Sequence, residues 1–120
     1  MSEREIGDET SPAAYDRVER ELLGDSLDFE REVERIDAMG DETRFAILYL
    51  LAQEGTVASG DLADALDRRQ NDLYHHLNVL EEAGLVGKFR DGGSRIYELS
   101  PLGEGTVTAL FDAIGARADG

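Results

Sequence analysis

Apolar positions recur at helical spacing along most of the chain. Tyr15, Val18 and Leu22 form a narrow stripe that follows Ser11-Pro12, a cap with proline at the first helical position, and Gly24 ends it. A second helix is expected from near Ser26, with Phe29, Val33 and Ile36 on one face, carboxylates on the other, and a stop at Gly40. Asp41 is placed to cap a third. Its Phe45, Ile47, Leu48, Leu50 and Leu51 cover most of the circumference, which predicts a central, buried helix ending at Gly55. Thr56-Val57 then reads as a short extended link. Ser59 is the expected cap of a fourth helix carrying Leu62, Ala63 and Leu66. A fifth starts at Arg69 or Gln70, with Leu73, Leu77 and Leu80 at i, i+4, i+7, and ends at Ala83-Gly84.

After Gly84 the pattern changes. Residues 86–90 and 95–99 have strand preference and flank Asp91-Gly92-Gly93-Ser94, which predicts a β-hairpin. Pro101 opens a last helix, to about residue 118, with Val107, Leu110, Phe111 and Ile114 at i, i+3, i+4, i+7. The fold class is therefore mainly α with a small β-hairpin. Residues 1–11 are polar and acidic without periodicity, so a mobile tail is expected there and a single domain over 12–120.

Composition narrows the classes. The 120 residues contain no cysteine, which excludes a disulfide framework and thiolate metal sites, and no apolar run long enough to span a membrane. A soluble, cytoplasmic protein is expected. The net charge is −15, with 27 acids against eleven arginines and one lysine, Lys88. DNA binders usually carry a basic footprint, so this charge argues against nucleic acid. However, acid-rich, lysine-poor composition also resembles that of proteins from cells with molar salt. There the screening length falls to about 3 Å and the charge reports the solvent rather than the partner.

The order of elements redirects the argument toward DNA. Two helices separated by a few residues suit a helix-turn-helix, whose second helix enters the major groove. If Leu73, Leu77 and Leu80 face inward, then Arg69, Gln70, Asn71, Tyr74, His75 and Asn78 face outward. Arg suits guanine, Gln and Asn suit adenine, and all reach phosphates. Residues 67–97 hold five acids and five bases, whereas the rest of the chain holds 22 acids and seven bases. The proposed DNA face thus escapes the acidification found elsewhere.

The segments "IDAMGDETRFAILYLLAQEG", "SGDLADALDRRQNDLYHHLNVLEEAGLV" and "FRDGGSRIYELSPLG", in this order, resemble the ArsR-type (arsenic-repressor-like) winged helix-turn-helix family. The "YELSPLG" tail is also similar to PadR- and MarR-type regulators. The resemblance implies a homodimeric transcription regulator. It places residues 70–78 in the recognition helix and the wing at about 86–99, and makes His76 mostly structural. The DNA-binding set expected is then Arg68, Arg69, Gln70, Asn71, Tyr74, His75 and Asn78, with Lys88, Arg90, Ser94 and Arg95 from the wing. Metal-sensing relatives carry paired cysteines where this chain has Ala58-Ser59-Gly60-Asp61, or Asp and His on the last helix, where it has Asp112 alone. Neither metal nor another cofactor is expected.

No nucleophile motif or phosphate-binding loop is present, so an enzyme is not expected. Arg44 is expected to pair with Asp41 or Glu42. Surplus apolar stripes on the extra N- and C-terminal helices predict a homodimer through Tyr15, Val18, Leu22, Val107, Leu110, Phe111 and Ile114. The expected function is sequence-specific regulation at a pseudo-palindromic site on double-stranded DNA at high salt. Monovalent cations would be taken up between the acidic protein and the phosphates. A winged-helix module that binds proteins and not DNA remains the rival, favoured by the charge.

Overall fold

The computed structural model describes residues 12–119, so the expected tail and the Ser11 cap lie outside the described residues. The chain divides into two compact units, one up to Val33 and one from Glu34 onward.

In the first unit, α1 (Ala13–Val18) widens into a π turn over Glu19–Leu23, closed by a Gly24 N–H to Glu19 carbonyl bond of 2.9 Å. Gly24, at φ 67°, ends it in the region open to glycine. The wider turn shifts the phase of the stripe: Leu23 is buried and Leu22 is 76% exposed. Tyr15 packs edge-on against Phe29, with ring centroids 6.1 Å apart. The second helix, α2 (Phe29–Ala38), starts later than expected, because Asp28 rather than Ser26 accepts from the Arg31 N–H (2.8 Å). Val33 and Ile36 on it are exposed.

The second unit is built around α3 (Glu42–Glu54). Asp41 caps it as expected, accepting from the Arg44 N–H at 3.1 Å. Ile47, Leu48 and Leu51 are essentially fully buried. Then follow β1 (Thr56–Ala58), α4 (Ser59–Leu66), α5 (Gln70–Glu82), β2 (Val86–Asp91), β3 (Ser94–Leu99) and α6 (Pro101–Asp119). The expected link at Thr56-Val57 is a strand. It pairs antiparallel with β3, Val57 opposite Tyr97, giving a three-stranded sheet in the order β1-β3-β2. The β2-β3 turn is the two-residue Gly92-Gly93, at φ 59° and 88°, with Asp91 opposite Ser94. Two successive positive φ values give the type I′ geometry that matches strand twist, and glycine supplies them at little steric cost. Leu62, Leu73, Leu77, Leu80, Leu85, Tyr97 and Val107 close the core.

Two expectations are corrected here. Ser59 is not a cap: it is the first residue of α4, Ala58 holds the cap position, and the Ser59 hydroxyl turns to Gln70 instead. Val107 is not a surface residue available to a second subunit, because α6 lies close enough to the rest of the unit to bury it completely. That approach depends on Gly103, where a Cβ would overlap the Leu85 carbonyl oxygen and sit 2.9 Å from its carbon. Ser100 pins the same junction. Its hydroxyl donates to the Gly84 carbonyl (2.6 Å) and accepts from the Gly103 N–H (2.9 Å), while its own N–H bonds the Leu85 carbonyl (3.0 Å). Further along, Leu110 and Phe111 are partly buried, and Phe111 meets Phe45 and Tyr49 edge-on at 5.2 and 5.5 Å.

Candidate nucleic-acid interface

The turn from α4 to α5 sets the geometry of the site. Asp67 adopts a left-handed conformation (φ 55°), which aspartate tolerates better than most residues. The Arg68 N–H reaches back to the Ala63 carbonyl at 2.9 Å, and the chain leaves α4 in a Schellman-type turn. Only Asp67, Arg68 and Arg69 separate the two helices. Arg69 holds the cap position of α5. Its side chain is 88% exposed, with Nε 3.7 Å from the Asp72 carboxylate.

The helix that follows has two distinct sides. Leu73, Leu77 and Leu80 are fully buried, while Asn71, His75 and Asn78 are exposed at i, i+4, i+7. The inner stripe fastens the helix to the core and leaves the outer stripe, with Arg68 and Arg69, free of packing duties. Tyr74 lies between the two stripes and is half-buried. Its hydroxyl donates to Gln70 Oε1 (3.3 Å), and its ring lies 5.3 Å from the Arg95 guanidinium.

The structure gathers the expected residues into separate places. Gln70, Tyr74, Arg90, Ser94 and Arg95 meet around a cleft of about 410 Å³ between the start of α4, the start of α5 and the hairpin tip. Asn71, His75 and Asn78 are not among the residues that line it. Lys88 is at the other end of α5, tied to Glu81 at 3.2 Å, and Arg90 donates to the Gly93 carbonyl at 3.2 Å. Ser59, Gly60 and Asp61 also line the cleft. The sequence marked them only as a helix start and as the place of absent cysteines, because their proximity to Gln70 depends on the geometry of the turn.

A second polar cluster holds α5 from behind. The Arg44 guanidinium acts on the Asp41 carboxylate through its charge, but its hydrogen bonds go elsewhere. Nε donates to the Ala38 carbonyl (2.7 Å) and Nη1 lies 3.1 Å from His76 Nδ1. Since a guanidinium can only donate, this contact requires a neutral His76 with Nδ1 as acceptor. Burial pushes the His76 pKa down, opposed by the Asp41 carboxylate 3.7 Å away. The Arg44 N–H in turn holds the Asp41 carboxyl below its ordinary value. At the far end, Arg35 donates to the Ala83 carbonyl at 2.7 Å, a cation at a helix C-terminus. Among the described residues, no cluster of three or more His, Asp or Glu could hold a metal, and no helix is long and apolar enough to cross a membrane.

A tight helix-turn-helix packed on a three-stranded sheet whose hairpin stands beside the second helix is a winged helix-turn-helix domain. The helix-turn-helix domain family matches residues 39–86. The chain is 38% identical over 69 residues to an uncharacterized HTH-type transcriptional regulator of Methanocaldococcus jannaschii, covering 58% of this chain and 78% of that one. It is 29% identical over 106 residues to a putative arsenical resistance operon repressor of Halobacterium salinarum, covering 87% and 82%. The solved structure of HlyU from Vibrio cholerae superposes with a TM-score of 0.64 at 27% identity, covering 70% of this chain and 91% of that one. The chain belongs to the ArsR-type family of winged helix-turn-helix DNA-binding transcription regulators, which are not enzymes.

Proposed function

We propose that the protein acts as a homodimer on a pseudo-palindromic site, with α5 of each subunit in the major groove and the β2-β3 wing on the flanking backbone. The observation that carries this reading is the division of α5 into a fully buried leucine stripe and an exposed stripe of Asn71, His75 and Asn78, opened by Arg68 and Arg69. Side chains of these types suit base edges and phosphates. Gln70 and Tyr74 contribute from the side of the cleft, and Lys88, Arg90, Ser94 and Arg95 from the wing. Two such helices about 34–36 Å apart would meet successive turns of one face of the duplex.

Dimerisation uses apolar side chains that the fold leaves wholly or partly uncovered: Tyr15, Val18 and Leu22 of the first unit, and the partly buried Leu110, Phe111 and Ile114 of α6. Tyr49, which meets Phe111 and is 48% exposed, extends the latter surface. Val107 is not part of it. Monovalent cations are taken up when the acidic subunits approach the phosphates, so affinity holds or rises in molar potassium chloride. This follows from the residual charge: outside residues 67–97 the chain carries 22 acids against seven bases. An ordinary binder instead loses affinity steeply with salt as counterions are released.

Selection of bound fragments from a genomic DNA library, run with the purified protein at low and molar potassium chloride, tests the whole reading. Enrichment of a two-fold symmetric motif, strongest at high salt, is the expected result. Absence of enrichment at any salt from folded protein refutes the DNA site, and a monomer in sedimentation at micromolar concentration refutes the dimer.

A further inference from the structure

Gln70 is exposed and is the first residue of α5. A carboxamide normally offers a base both an acceptor oxygen and two donor hydrogens. Here the oxygen is already engaged twice, accepting from Ser59 Oγ at 3.2 Å and from the Tyr74 hydroxyl at 3.3 Å. A carbonyl oxygen has two lone pairs, so both are taken. Each contact is long for a hydroxyl donor, and the amide is restrained by having two of them rather than by the strength of either. Neither donor turns away easily. Ser59 is 6% exposed at the start of α4, and the Tyr74 ring is held beside the Arg95 guanidinium. Gly60 adds to this: the Gln70 amide nitrogen lies 3.4 Å from where a Cβ at residue 60 would sit, so a small residue lets the amide lie across the start of α4.

We infer that Gln70 reads DNA as a donor only, through Nε2, and therefore selects the keto oxygen of guanine or thymine and rejects adenine and cytosine. The inference rests on α5 being the recognition helix. Glutamine pairs with adenine by accepting from N6 while donating to N7, and that pairing needs the oxygen that Ser59 and Tyr74 occupy. Cytosine presents only the N4 donor. Guanine presents N7 and O6 side by side and thymine presents O4, all acceptors that an amide NH₂ can serve, whereas adenine's one acceptor, N7, stands beside an N6 donor that the occupied oxygen cannot meet. Ser59 and Tyr74 are then positioning residues. In this role they act through the Gln70 oxygen and determine which base Gln70 accepts.

The test is selection from a randomised DNA library at one fixed salt concentration. It uses the full chain as wild type, Gln70→Ala, Tyr74→Phe, and the double variant Ser59→Ala/Tyr74→Phe. Gln70→Ala identifies the base position concerned, because preference there is lost while the rest of the motif persists. At that position the wild type is expected to favour guanine or thymine by about tenfold. The double variant, with the oxygen released, is expected to accept adenine equally, and Tyr74→Phe, which keeps the ring, to move part of the way. A wild-type preference for adenine or cytosine overturns the inference. So does a double variant that selects the wild-type base with an unchanged unfolding midpoint, or a Gln70→Ala variant whose motif is unaltered. Should the double variant prove unfolded by circular dichroism, Tyr74→Phe alone decides, and an unshifted preference overturns the inference. A wild type that selects no motif is a different failure: it removes the recognition-helix reading, and this inference with it.

Discussion

Gly103→Ala and Gly105→Ala make the same chemical change two residues apart on α6, and the structure assigns them opposite signs. Replacing glycine by alanine in a helix gains about 0.5–1 kcal/mol from backbone entropy and propensity. At Gly105 an added Cβ has nothing within 4 Å, so that gain is expected undiminished. At Gly103 the same methyl overlaps the Leu85 carbonyl oxygen and comes within 2.9 Å of its carbon. Both obstacles are backbone, so no side-chain rotation relieves them and α6 must move. Overpacking of this kind costs about 1–3 kcal/mol, and a rigid obstacle belongs at the upper end. Movement would also strain the Ser100 bonds to Gly84 and Leu85 and withdraw Val107 from the core. A net loss of about 2 kcal/mol is therefore expected for Gly103→Ala, and a difference of about 3 kcal/mol between the variants. Subtraction removes the propensity gain they share and leaves the steric cost. Urea unfolding at fixed protein and salt concentration measures both. Equal midpoints with equal slopes would refute the close approach of α6 to the start of β2, and with it the reason Val107 is buried.

Three further outcomes follow from named contacts. The folded-state pKa of His76 is depressed, so the neutral ring is the native form and the unfolded chain takes the proton first. Stability is then full above the ordinary histidine pKa of about 6.5 and falls as pH drops through and below it. His76→Gln should flatten unfolding free energy against pH below about 6.5 relative to wild type, and parallel curves would contradict the neutral ring. The Tyr97 hydroxyl is fully buried and among the described residues makes no well-formed hydrogen bond, although the Arg95 guanidinium is near enough to interact with it, so Tyr97→Phe should change stability by about 1 kcal/mol at most; a marked loss would show that the Arg95 contact holds the hydroxyl. Among surface variants, Arg69→Ala and Asn78→Ala should weaken specific binding more than random-sequence binding, and Arg90→Ala should weaken both alike. Equal losses across all three in a mobility-shift titration would contradict the division between helix and wing.

The helices were legible because burial follows the helical period wherever an element packs on one side. The stripes at Leu73, Leu77 and Leu80, and at Ile47, Leu48 and Leu51, needed no tertiary information. Neither did the turn, since two adjacent glycines between strand-forming runs leave few alternatives. Contacts set by distant parts of the chain were not legible. Thr56-Val57 became a strand because β3, far along the chain, offers it a partner in register. Ser59 has the chemistry of a cap, but the helix begins one residue earlier than that reading requires, directly after the paired Ala58, so Ser59 is already its first residue. Val107 repeats on the same stripe as Leu110 and Ile114, and only the close approach at Gly103 separates it from them. For the candidate site, the sequence identified side chains able to meet DNA. It did not distinguish Asn71 and His75, which are exposed on the outer stripe, from Gln70 and Tyr74, which are engaged with each other.

Polar ties hold α5 along its whole length. Gln70 and Tyr74 join its start to α4 and the wing, Arg44 joins His76 in its middle to the start of α3 and the end of α2, and Lys88 and Arg35 hold its last turn. The helix that would enter the groove is thus fixed in pitch and register by neighbours on five elements before any DNA arrives. That matters most for a protein of net charge −15. In molar salt the screening length falls to about 3 Å, so long-range attraction to phosphate contributes little and cannot orient the molecule. Contacts of hydrogen-bond length are affected least, because no ions fit between the partners. If the protein binds DNA in molar salt, as proposed, its specificity has to come from short contacts made by rigidly held side chains, and the ties around α5 supply that rigidity.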